Sequence, residues 1–231
     1  MTEESVLNKL VKSIRSSPIF ADCEETALVN LARACRVRNI PKGSVVFFQT
    51  DPGDAMYLVL SGSVAILLNS PDGRELVINE VRCGDYFGEI SLITKQPRSA
   101  SAITCEKSEL LVIPDSAFWQ ILNNQEQVVY HLLVNTAQRL SASSDRESAL
   151  AFLDASGRIV RILLQLDQEN AKKGYMTLSQ EDLAQRTGLT RQTVAKILGR
   201  WRRAGWLLTG RNRIMLLNRE ALKKVAEQSY L

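Results

Sequence analysis

Between residues 42 and 84 glycine returns every nine to eleven positions, in Lys42-Gly43, Pro52-Gly53, Ser61-Gly62, Asp72-Gly73 and Cys83-Gly84. The intervening stretches, Ser44 to Phe48, Ala55 to Leu60, Ser63 to Leu68 and Glu75 to Glu80, are β-branched or alternating. Short strands punctuated this way predict an antiparallel sandwich or barrel. Ala100 to Ile113 supplies further strands, Pro114 closes the region, and a helical stretch over Glu24 to Arg36 precedes it. The region reads as a jelly roll enclosing a ligand site.

From Ser116 the period changes. Phe118, Ile121 and Leu122, then Val128, Val129, Leu132, Leu133, Thr136, Ala137 and Leu140 recur at helical spacing in a run free of Pro and Gly. One helix through that run is about 50 Å long at 1.5 Å per residue, more than a small sandwich can cover. Its apolar seam predicts a paired helix and a homodimer. His131, the only histidine, lies near the seam and reads as a packed or partly exposed imidazole rather than a ligand.

One stretch carries recognisable binding chemistry: Gly88-Glu89-Ile90-Ser91-Leu92, with Pro97-Arg98-Ser99-Ala100 a short loop later. Arg98 offers a permanently charged fork suited to phosphate, and Ser99 a hydroxyl beside it. The first turn after Gly88 can aim backbone amides at the same anion. Glu89 repels a phosphate, so its natural partner there is a sugar hydroxyl. Phosphate and ribose hydroxyl together specify a nucleotide.

The composition is that of an ordinary soluble chain, with 45% hydrophobic residues among 231. No apolar run reaches the ~18 to 20 residues of a membrane helix, and Met1 to Phe20 is polar and mixed in charge, which predicts a cytoplasmic protein without membrane partners. Cys23, Cys35, Cys83 and Cys105 are scattered, without CxxC spacing, so no metal site is indicated and the thiols read as reduced. Charge is unevenly spread. Residues 1–154 hold 14 Lys+Arg and 19 Asp+Glu, while residues 155–231 hold 15 and 6, a net charge of +9 that suits a polyanion.

In the basic third, residues 158–168 have helical periodicity and Asn170 to Gly174 forms a polar turn. Ser179 reads as an N-cap with Asp182 three residues on. Thr187-Gly188-Leu189 makes a tight turn, and Thr190 caps a second helix carrying Arg191, Gln192, Thr193, Lys196 and Arg200. Val194, Ile197, Leu198 and Trp201 form its buried face. This is the pattern of a helix-turn-helix whose second helix enters a major groove of double-stranded DNA. Trp206 to Thr209 and Arg213 to Leu217 read as a wing whose tip, Arg211, can touch phosphate, and Asn218 caps a last helix.

The run from Phe87 to Ala100 resembles the phosphate-binding cassette of cyclic-nucleotide-binding domains over its whole length, which implies that Glu89 holds the ribose 2′-hydroxyl and Arg98 the cyclic phosphate. Gly88, Ile90, Ser91 and Ser99 complete the cassette. Taken with the long helix, the run Ala151-Phe-Leu-Asp-Ala-Ser-Gly-Arg158 and the winged helix-turn-helix, the chain resembles CRP/FNR transcription regulators over nearly its whole length. The resemblance implies an α+β chain: a cyclic-nucleotide-binding jelly roll over residues 1–115, a dimerisation helix and hinge over 116–154 with the hinge at Asp154 to Gly157, and a DNA-binding domain over 155–231. It also implies cAMP as allosteric ligand, DNA and RNA polymerase as partners, and no enzymatic activity. Arg139 joins the expected ligand contacts, with Ser143 and Ser144, which stand where two small hydroxyl residues of the cAMP-responsive members reach the adenine from both subunits. Ser144-Asp-Arg-Glu147 also fits a capping box that would start a new helix there; the resemblance favours an unbroken one.

This chain departs from the cAMP-responsive members in the recognition helix. It carries Gln192 where they have an acidic residue and Lys196 where they have a second Arg, so its DNA half-site differs or is looser. Two other readings keep part of this organisation: a CRP/FNR-type regulator answering to cyclic di-GMP, to a redox or haem ligand or to nothing, and a cyclic-nucleotide-binding regulatory subunit of an enzyme.

Overall fold

The computed structural model describes residues 3–70 and 73–229. The chain divides into two compact units, residues 1–71 with 77–140 and residues 72–76 with 141–231.

The first unit opens with α1 (Glu3–Arg15) and α2 (Glu25–Ala34), followed by β1 (Arg36–Ile40), β2 (Val45–Phe47), β3 (Ala55–Ser61), β4 (Ser63–Asn69), most of β5 (Glu75–Arg82) and β6 (Tyr86–Phe87). Then come α3 (Glu89–Thr94), β7 (Ser101–Thr104), β8 (Ser108–Pro114), α4 (Asp115–Asn124) and the start of α5 (Glu126–Phe152). The strands form two four-stranded sheets, ordered β1-β8-β3-β6 and β2-β7-β4-β5. The strand stretches read from the sequence correspond closely to β2, β3, β4 and β5. The sequence reading lacks α1, β1 and β6; β1 is short and mostly exposed, paired only with β8.

Strands β3 and β8 are buried on both faces. Ala55, Tyr57, Val59, Leu110 and Val112 join the layer between the sheets with Val64, Phe87 and Ala102. Their neighbours Met56, Leu58, Leu111 and Ile113 point the other way, onto Ile14, Phe20, Leu28, Phe118, Val128 and Leu132 of the helical layer. Period-2 alternation thus feeds two cores, which explains the continuous apolar run over Ala55 to Leu60.

The single helix expected from Ser116 is two helices. It breaks at Gln125, whose backbone is extended (φ −136°, ψ 91°). Side-chain amides take over from the helical ladder: Asn124 Nδ2 donates to the Gln120 carbonyl at 2.7 Å, and Gln125 Oε1 accepts from the Glu24 amide at 3.3 Å. α5 runs unbroken from Glu126 to Phe152, about 40 Å, so no new helix starts at Ser144. Only Val128 and Leu132 of α5 are buried, whereas Val129, Leu133 and Leu140 are exposed.

The second unit continues with α6 (Ala155–Glu169), α7 (Gln180–Thr187), α8 (Arg191–Arg203), β9 (Leu207–Gly210), β10 (Arg213–Leu216) and α9 (Arg219–Gln228). Residues 155–157, expected to belong to a hinge, are helical. Asp154 Oδ1 accepts from the Gly157 amide at 2.7 Å, and this N-cap draws Ala155 to Gly157 into α6. A core of Ile159, Val160, Leu163, Leu183, Val194, Leu198, Trp201, Leu207 and Leu222 holds the helices and the two-stranded wing together.

Candidate functional site

At the corner where β6 turns into α3, Gly88 adopts a left-handed backbone (φ 84°); a Cβ there would sit 2.8 Å from Arg98 Nη1, so the position needs glycine on both counts. Glu89 opens α3 and is only 4% exposed. Its Oε1 accepts from Arg139 Nη1 at 2.9 Å, while Oε2 is buried without a partner. Arg139 comes from α5, lies over the Tyr86 ring at 4.6 Å and also donates from Nη2 to the Tyr86 carbonyl. Burial pushes the Glu89 carboxyl above its usual pKa, and the Arg139 and Arg98 charges pull it back.

Arg98 points inward and is 3% exposed. Nη1 donates to the Gly88 carbonyl and to Ser91 Oγ, both at 2.7 Å, and Nη2 donates to the Ala55 carbonyl at 2.7 Å. Phe47 lies 4.2 Å under the guanidinium. Exposed Asp54 approaches Nη2 to 3.7 Å. Nε is buried and unpartnered. The loop over residues 48–54 is fastened to Arg98 by backbone bonds, Thr50 N to Arg98 O at 2.8 Å and Arg98 N to Asp51 O at 2.9 Å. The cassette therefore holds a buried donor, Arg98 Nε, and a buried acceptor, Glu89 Oε2, both unsatisfied. Buried polar groups are rarely left in that condition unless a water, an ion or a ligand completes them.

The structure brings together Gly88, Glu89, Ser91, Arg98 and Arg139. Ile90 and Ser99 are exposed beside them. Ser143 and Ser144 fall in the second unit, where Ser143 Oγ lies 3.5 Å from Glu147 Oε1. The sequence reading missed Ala55, Phe47 and Tyr86. The available signal was strand parity, which puts Ala55 and Tyr57 on the inward face of β3. His131 pairs with Asp22 at 2.9 Å. Burial raises the thiol pKa of Cys23 to about 11 and of Cys35 to about 12, keeping both protonated.

In the second unit Ser179 and Asp182 form a reciprocal capping box at 2.9 and 3.0 Å. Gly188 ends α7, and Thr190 Oγ1 accepts from the Thr193 amide to start α8. Val194, Ile197, Leu198 and Trp201 are buried, so the 3.6-residue period turns Arg191, Gln192 and Lys196 outward together. Arg200 is also exposed but donates to Ser156 Oγ at 3.1 Å. Arg211 is exposed in the turn between β9 and β10. That wing gains a third segment, since Met176 and Ile214 exchange backbone bonds, and Arg213 stacks on Tyr175 at 4.8 Å. The sequence reading passed over Arg202 and Arg203, exposed in the last turn of α8.

Comparison with known proteins agrees with both halves. Residues 37–125 match the Cyclic nucleotide-binding domain family and residues 157–225 the Crp-like helix-turn-helix domain family. A CRP-like cAMP-activated global transcriptional regulator of Mycobacterium tuberculosis is 30% identical over 214 residues, covering 90% of this chain and 96% of that protein. The cAMP-activated global transcriptional regulator CRP of Escherichia coli is 28% identical over 170 residues, covering 71% and 81%. Among solved structures, the c-di-GMP responsive global regulator CLP of Xanthomonas campestris is similar with a TM-score of 0.77 and 27% identity, covering 84% of this chain and 99% of that one. Among the described residues no helix is long and apolar enough to cross a membrane. A β-roll with a nucleotide cassette, a long helix and a winged helix-turn-helix, matched along nine-tenths of the chain, place this protein in the CRP/FNR family of DNA-binding transcriptional regulators, which are not enzymes.

Proposed function

We propose that the chain is a homodimeric, cytoplasmic transcription regulator whose DNA binding is switched by cAMP. The observation that carries the reading is the unsatisfied pair in the cassette: Arg98 Nε lacks an acceptor and Glu89 Oε2 lacks a donor. A cyclic nucleotide supplies both, a phosphate oxygen for the first and a ribose hydroxyl for the second. Arg139 holds the Glu89 carboxylate in place, and Gly88, Ile90 and Ser99 line the cassette. Ser143 and Ser144 read the adenine.

The exposed residues Val129, Leu133, Thr136 and Leu140 recur at steps of four, three and four along α5, the spacing of a paired-helix seam. That seam supports the dimer. In the DNA-binding domain Arg191 reads a guanine, Gln192 and Lys196 read neighbouring bases, and Ser179, Thr190, Thr193, Arg200 and Arg211 meet the backbone. The working domains are residues 1–115, 116–154 and 155–231, and RNA polymerase is the partner on DNA. A ligand shifts such a dimer only by its differential affinity for two states.

Calorimetric titration with cAMP, cGMP and cyclic di-GMP tests the reading. The expected result is one cAMP site per subunit with weaker cGMP. Tight binding of cyclic di-GMP alone would move this chain to the effector class named for the Xanthomonas regulator, and no binding of any of the three would remove the nucleotide reading.

A further inference from the structure

We infer that Ser91 is a positioning residue that restricts the cassette arginine to a single binding edge, and so sets which oxygen of a cyclic phosphate is recognised. The inference rests on the cyclic-nucleotide reading and deepens it. A guanidinium has five N–H groups and can meet an anion end-on through its two Nη atoms or side-on through Nε and Nη2. Here Nη1 is fully occupied, because Gly88 O and Ser91 Oγ take its two hydrogens at 2.7 Å each. Nη2 gives one hydrogen to Ala55 O, and Nε gives none. The edge that remains is Nε with the second Nη2 hydrogen.

The Ser91 hydroxyl is built into its place. Ser91 is 4% exposed, and its Oγ donates to Gly88 O at 3.1 Å while accepting from Arg98. Gly53 presses on it from the loop above: a Cβ on Gly53 would lie 2.2 Å from Ser91 Oγ and 3.6 Å from Arg98 Cζ. No residue larger than glycine fits at 53 without displacing the hydroxyl. The other charge near this edge, Asp54, is exposed and stands 3.7 Å from Nη2, so solvent screens it and Nε is the donor furthest from a competing carboxylate contact.

A cyclic phosphate has two inequivalent exocyclic oxygens, and replacing one or the other by sulfur gives the Sp and Rp phosphorothioates of cAMP. A fork with one open edge grips a defined oxygen and separates the two diastereomers. Ser91→Ala frees one Nη1 hydrogen, opens the end-on approach and relaxes that choice. The test is calorimetric titration of full-length wild type, Ser91→Ala and Ser91→Cys with cAMP and both phosphorothioates. Cysteine puts a sulfur where the hydroxyl stood but is a poor acceptor, so it reports on the hydrogen bond without the cavity that alanine leaves. The expected result is a wild-type preference for one diastereomer that narrows by about fivefold in both variants, the scale of one hydrogen bond. A strong wild-type preference that survives both substitutions overturns the role of Ser91 and leaves the nucleotide reading standing, as does a wild type that binds both diastereomers equally. A wild type that binds none of the three ligands overturns the nucleotide reading itself.

Discussion

The two candidate binding regions solve opposite problems. The cassette buries its charges: Glu89 and Arg98 are each under 5% exposed, tied to carbonyls, a serine and a second arginine. The recognition helix keeps its apolar half in the core and leaves Arg191, Gln192 and Lys196 in solvent. A small ligand must be stripped of water and gripped by groups already desolvated, since a buried charge-assisted bond is far stronger than an exposed one. DNA is large and already charged, so exposed long side chains and a net positive surface suffice until the groove desolvates them. The cassette should therefore respond to substitution in large, ligand-specific steps, and the DNA face in smaller, additive ones.

Arg98→Ala is the substitution that should separate the two regions most. Losing the arginine leaves the ligand phosphate without its cationic partner, and cAMP affinity should fall by roughly 2 to 5 kcal/mol. Exposed Lys95→Ala, measured in parallel by calorimetry, should change it by less than about 0.5 kcal/mol. Equal losses would erase the contrast. Replacing Ser143 and Ser144 together by Ala should cost about 1 to 3 kcal/mol against cAMP and bring cGMP level with it in competition. Unchanged selectivity would remove both serines from the ligand site.

On the DNA side, Arg191→Ala should cost about 1 to 3 kcal/mol and relax a single base position, read out by selecting sites from random DNA. Arg211→Ala should weaken binding to every sequence alike and reduce the salt slope by about 1. The smallest effect concerns pH. Burial raises the Glu89 carboxyl pKa, so in the ligand-free fold its ionised form costs stability at neutral pH, and that cost is relieved as the pH falls through the raised value. A ribose hydroxyl donates to the ionised form and favours it. cAMP affinity should therefore decline on acidification through this range, and Glu89→Gln should flatten the profile while lowering affinity at neutral pH.

Different parts of the molecule were legible to different degrees. Caps at Ser179, Thr190 and Asn218, the wing turn and the strands β2 to β5 follow from local chemistry, in which a short polar side chain or a glycine decides the backbone within a few residues. The break at Gln125 did not, because it depends on a bond to Glu24 a hundred residues away in sequence. The hinge at Asp154 to Gly157 comes from the resemblance, and residues 155–157 are helical because Asp154 caps them. In the cassette, residue types gave the chemistry of Glu89 and Arg98. Their engagement by Arg139, Ala55 and Ser91 is tertiary, and no spacing in the chain encodes it.

Under the proposed function, occupancy of the buried cassette controls the exposed DNA face. The most direct measurement is the affinity of wild type and Arg98→Ala for a near-palindromic duplex with half-sites about 34 Å apart, each with and without saturating cAMP at fixed salt. Wild type should bind the duplex more tightly with cAMP, and Arg98→Ala should bind it equally in both conditions, at the level of ligand-free wild type. A wild type that takes up cAMP yet binds DNA with the same affinity in its presence and absence would show that the cassette does not control the DNA face.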